Sequence, residues 1–142
     1  MANKIVVDTG KLWITKIAVT NGNAKLDTNV KIRLFANNYT PVQASVIGNF
    51  TEIAYTGYAA VTLSGAVDGG IDANDRDTWT WPTVTFQCTS SAGLPVTAYG
   101  YYVTDSANTT VLWAERFSTA QVFTTNGDGF TVPPQFSGGS IF

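Results

Sequence analysis

Asp68, Asp72, Asn74, Asp75 and Asp77 are the densest group of side chains in this sequence that could do chemistry. Calcium gathers carboxylate and amide oxygens from short loops of this kind. The EF-hand order fails here, because Arg76 stands in a ligand slot and no glycine follows at the sixth position. A solvated acidic hairpin tip accounts for the same residues, so no metal is expected. The chain has 10 acidic residues, no histidine and one cysteine, Cys88. Without histidine there is no ordinary Ser-His or Cys-His dyad and no zinc set of the usual kind. A carboxylate pair of the glycosidase type is the remaining acid–base option. The acids concentrate in the glycine-rich loop, where solvent would leave them with ordinary acidity. The expectation is a chain that is not an enzyme and carries no cofactor.

Binding is the alternative to catalysis. Trp79, Trp81, Tyr99, Tyr101, Tyr102 and Trp113 could form a sugar-stacking platform, an interface core or the filling of a sandwich. Glu115 and Arg116 adjoin in a strand-like run, so they point to opposite faces and seek partners on neighbouring strands or subunits. The charge is lopsided: residues 1 to 33 carry six basic and two acidic groups, net +4, and residues 34 to 142 carry two and eight, net −6. A basic leading part on an acidic body can steer contact with an acidic neighbour, including a sister copy, although a solvated strand face explains it equally. Lys4, Lys11, Trp13, Lys16, Lys31, Arg33, Trp79, Trp81, Tyr99 and Tyr101 are therefore the candidate interface residues. No basic run interleaves with aromatics, so nucleic acid is not an expected partner.

These side chains need elements to hold them. Lys11 to Val19 is β-rich, and Asn21-Gly22-Asn23 is a turn signal. Val30, Ile32, Leu34 and Ala36 share one parity and Lys31 and Arg33 the other, which predicts a half-buried strand. Pro41 closes it. Val46, Phe50 and Ile53 fall at i, i+4 and i+7 behind Ser45 as a possible N-cap, predicting one or two helical turns that lid the sheet. Tyr55 to Leu63 returns to strand, and Ser64 to Asp77 reads as a loop. From Thr78 to Cys88 the apolar parity flips at Pro82, as a β-bulge within one strand would explain. Val96 to Thr104 is apolar on both parities, so it is expected to be covered on both sides, and Thr109 to Phe117 is similar. Asp105 to Asn108 is the turn between them, and Asn126-Gly127-Asp128-Gly129 signals another hairpin.

Turn signals roughly 8 to 15 residues apart predict an all-β, antiparallel β-sandwich, jelly-roll-like, of about eight strands with one short helix. A length of 142 residues fits one domain. Residues 1–29 read as a basic arm or strand segment, 30–137 as the sandwich, and 138–142 as a short tail after Gly138-Gly139. Charged residues are only 13%, about half the usual share of roughly 25%, which suits a polar, uncharged surface partly covered by a partner. A single cysteine permits no intrachain disulfide, and Cys88 sits in an apolar run as a small core residue. Residues 1 to 20 lack a long apolar core and a cleavage site, so no secretory signal is expected, and no stretch approaches a membrane helix. The protein is expected to stay in the cell that makes it or to leave inside a particle.

The segment KIRLFANNYTPVQASVIGNFTEIAYTGYAAVTL, residues 31–63, resembles small structural proteins of tailed bacteriophages. The resemblance continues through YGYYVTD (Tyr99 to Asp105), VLWAERF (Val111 to Phe117) and NGDGFTVPPQF (Asn126 to Phe136) and so covers most of residues 31 to 136. It implies a virion component: a capsid decoration (cement) protein, or a head or tail accessory protein. The implied setting is a homo-oligomer, a trimer for preference, on the capsid surface between major capsid protein subunits, assembled in the host cytoplasm. The family brings no catalytic residues to transfer. The alternative it leaves open is a tail or fibre-associated module that grips host surface glycan through the aromatic strands.

Overall fold

The computed structural model describes residues 4–10, 29–71, 73 and 77–137. Ten strands occur among them: β1 (Lys4–Val6), β2 (Val30–Phe35), β3 (Val61–Thr62), β4 (Val67–Ile71), β5 (Asp77–Thr80), β6 (Val84–Gln87), β7 (Val96–Asp105), β8 (Val111–Phe123), β9 (Gly129–Val132) and β10 (Gln135–Ser137). All their pairings are antiparallel. The main sheet has the order β1-β8-β7-β2-β3, and two smaller sheets, β10-β5-β4 and β6-β9, accompany it. The fold is an all-β sandwich.

The main core lies on one face of the large sheet. Ile32, Leu34, Val103 and Trp113 of that sheet meet Trp81, Phe86, Val132 and Phe136 of the smaller ones. Trp81 stacks on Trp113 with centroids 5.8 Å apart, and the tilted Phe136 ring meets Trp113 at 5.1 Å. The parity flip at Pro82 is present, but its cause is not a bulge inside one strand. The chain leaves the sheet of β5 after Thr80 and enters that of β6 at Val84, so Trp81 and the even-numbered Val84, Phe86 and Cys88 all point inward.

The second face of the large sheet is covered too. Segment 36–53 folds over it, tied by Ala36 N–H to Thr51 O (2.8 Å), Ile53 N–H to Leu34 O (3.0 Å) and a bridge between Phe35 and Glu52. Phe50 stacks on Tyr102 at 4.8 Å and meets Phe35 and Tyr39 edge-on. β2 is therefore buried on both faces rather than half-buried, and the two-sided burial expected of β7 is found.

The lid is less helical than its spacing predicts. It holds one 3-10 turn, Ile47–Asn49, started by Asn49 Oδ1 accepting from Val46 N–H at 2.8 Å. Ser45 is not the cap. Its hydroxyl accepts from Val42 N–H at 2.9 Å and shares a hydrogen bond with Tyr39. The chain is extended after the turn, so Phe50 and Ile53 point to opposite sides and enter different cores.

Three other expectations change. Of Tyr55 to Leu63, only Val61–Thr62 is a strand, and Val67–Ile71 is a strand inside the expected loop. The Asn126–Gly129 turn exists, with Gly127 at φ +95, but it joins β8 of the large sheet to β9 of a small one and so is no hairpin. Within the segment 1–29, read as an arm or strand, residues 4–6 form edge strand β1 on β8, followed by Val7, which is fully buried. The expected strand at 11–19 and turn at 21–23 lie outside the described residues, as does the tail 138–142.

Candidate functional site

Among the described residues, the candidate interface residues fall in several different places. Arg33 is buried on β2, its Nη1 donating to both oxygens of Glu52 at 2.9 and 3.0 Å and its Nε to Thr104 Oγ1 at 3.0 Å. Tyr58 donates its hydroxyl to Glu52 at 2.8 Å and accepts from Leu34 N–H at 3.2 Å. Burial, and then the hydrogen bond to Glu52, hold the Tyr58 phenol well above its usual pKa, so it is a permanent donor. Trp81 and Tyr101 are core residues at 6% and 2% exposure, buried as Arg33 is. Tyr99 is half-buried beneath the Arg116 guanidinium, 5.4 Å from its ring centre. Arg116 also donates to Tyr39 O (2.8 Å) and Asn38 Oδ1, pinning the lid. Trp79, at 36% exposure, and the half-buried Lys31 stay within reach of solvent. Lys11, Trp13 and Lys16 lie outside the described residues, and so do Asp72, Asn74 and Asp75 of the acidic loop. Among the described residues, no group of three Cys, Asp or Glu is placed to hold a metal ion.

One constellation is gathered by the register. Lys4 stands opposite Glu115 across β1 and β8, and Tyr101 stands opposite Glu115 across β7 and β8. Directly opposed residues share a face, so ammonium, carboxylate and phenol form a row on the inner side of the large sheet. There β9 and β10 stand off from β8 and leave a half-open cleft of about 560 Å³. Its walls include Phe117 and Phe130, whose rings meet edge-on at 5.4 Å. Tyr101 donates to Glu115 Oε2 at 2.9 Å, and Lys4 Nζ donates to Gln135 Oε1 at 3.2 Å. Burial, followed by the Glu115 charge, raises the Tyr101 pKa well above its usual value, so this phenol too stays protonated. Glu115 Oε1 and Gln135 Nε2 have no hydrogen-bond partner among the described residues.

Of this cleft, sequence reasoning selected only Lys4 and Tyr101 for a site. It placed Glu115 and Arg116 on opposite faces, which holds. It missed Phe117, Phe130 and Gln135. The available signal was the acid–base pair Glu115 and Arg116 inside VLWAERF, a run otherwise apolar. Comparison with family models, curated proteins and solved structures gave no match.

Proposed function

We propose that this chain is a non-enzymatic virion structural protein: a capsid decoration protein that bridges major capsid subunits of a tailed phage as a homotrimer. The observation that carries the reading is how the charged side chains are used. Arg33 and Glu52 bind each other, Arg116 clamps the lid, and Glu115 takes the Tyr101 phenol. Asp105 and Asp128 each hold a turn. These groups fix loops to a scaffold, and no two are poised as acid and base across a cleft. The segments whose sequence resembles phage structural proteins carry these same ties, from Asn38 through Glu52 and Arg116 to Asp128. The likeness is thus one of scaffold, which fits a protein that works by adhesion. Many weak contacts, repeated symmetrically over a shell, add up to firm attachment.

Copy number tests this reading. Quantitative mass spectrometry of purified particles that carry the chain should find hundreds of copies, and light scattering of the isolated protein should find a trimer. A handful of copies would instead favour the tail or fibre reading. A monomer with no affinity for particles would overturn both. The aromatic platform of that second reading loses support, because Trp81, Tyr101 and Trp113 are buried.

A further inference from the structure

We propose that the cleft between β8 and β9–β10 binds a neutral saccharide, with Glu115 and Gln135 as its hydrogen-bonding pair and Phe117 and Phe130 as its apolar wall. The cleft's volume, about 560 Å³, is within the range of roughly 300–1,000 Å³ typical of small-molecule sites. Its chemistry selects among ligand classes. An anion would meet the Glu115 carboxylate, and a cation would meet the Lys4 ammonium that stands opposite it. An uncharged ligand escapes both penalties. Glu115 Oε1 is an acceptor and Gln135 Nε2 a donor, and neither has a partner among the described residues. A hydroxyl both donates and accepts, so adjacent hydroxyls on one ring can satisfy the two groups together. The remaining oxygens are already held: Tyr101 fixes Oε2, and Lys4 fixes Gln135 Oε1. That leaves the free atoms oriented before a ligand arrives, which lowers the cost of binding. The C–H face of a pyranose then has Phe117 and Phe130 to cover. This site differs from the sugar-stacking platform that is one of three sequence readings of the aromatics, and it does not depend on the proposed virion role.

The test is a titration of the isotope-labelled full chain, followed by amide NMR, with glucose, galactose and N-acetylglucosamine up to 50 mM. At least one sugar should saturate with shifts concentrated at residues 115–121 and 130–135. Glu115→Gln should weaken it at least tenfold, and Phe117→Ala likewise, each with an unchanged amide spectrum elsewhere to show that the fold survives. Lack of saturation by every sugar would overturn the proposal. So would shifts centred away from the cleft, or affinity unchanged in both variants. Tighter binding of spermidine or of inorganic phosphate than of any sugar would also overturn it, because the cleft would then be selecting charge.

Discussion

Asp128 shows how much one exposed carboxylate organises. Its Oδ2 accepts from Thr124 N–H (2.7 Å), Thr125 N–H (2.9 Å) and the Thr124 hydroxyl (2.9 Å), at the point where the chain crosses between sheets. These backbone bonds, the Thr124 one first, bring its pKa down to about 2. A depressed carboxylate contributes stability that is present above its unfolded pKa of about 3.9 and is lost as pH falls through its folded value. Asp128→Ala should therefore lower the melting temperature at pH 6, and the gap to wild type should close between about pH 4 and pH 2. A gap independent of pH over that window would show that the carboxylate holds no such turn. Tyr58 is a half-buried counterpart. Tyr58→Phe deletes a donor to Glu52 and an acceptor for Leu34 N–H, which should cost about 1–3 kcal/mol in urea unfolding. A loss below about 0.5 kcal/mol would mean that water replaces the phenol.

At the scale of elements, β7 and β8 approach closely where Gly100 pairs with Arg116. A Cβ on Gly100 would lie 2.2 Å from Glu115 O and 2.5 Å from the Phe35 ring. Backbone cannot yield cheaply there, so Gly100→Ala should destabilise by about 3 kcal/mol and shift the Phe35 and Tyr102 ring signals in proton NMR. An alanine variant as stable as wild type would mean that β8 can move away from β7. The sequence-level reading succeeds where one residue's surroundings are local. Parity placed Val30, Ile32 and Leu34 in the core, and Asp105 to Asn108 is the turn expected. It fails where a distant segment decides. Asn126-Gly127-Asp128 declares a turn but not which sheet receives the next strand. Val46, Phe50 and Ile53 have helical spacing, yet Phe50 is drawn to Tyr102 and Ile53 to the opposite core, which an extended chain satisfies and a helix cannot. Sequence says that Glu115 seeks a partner on a neighbouring strand or subunit, and only the pairing of β8 with β7 shows that partner to be Tyr101.

For the whole molecule, the decisive relation is between the N-terminal residues and the sandwich they lean on. The net charge of +4 over residues 1 to 33 suggests a docking arm, but β1 is an edge strand of the main sheet, and Val6 and Val7 sit in the two separate cores. Fold and docking are thus confounded in any truncation. Removing residues 1–10 should cost about 3 kcal/mol or more, at about 1.5–3 kcal/mol for each buried valine, and should lower the melting temperature whatever the protein binds. Replacing Lys11, Lys16 and Lys25 with Gln separates the two roles, because it cuts the basic charge while leaving β1 in place. That variant should melt closer to wild type than the truncation does, because it removes neither buried valine. Its binding to particles should fall and should lose salt dependence, because salt screens attraction between charges beyond about 8 Å at physiological ionic strength. Equal particle binding by the lysine variant and wild type at 50 and 300 mM salt would show that the basic segment does no docking. The adhesive surface would then lie elsewhere, with the exposed Val42 and Val46 on the lid or Val67 on β4 as the next residues to change.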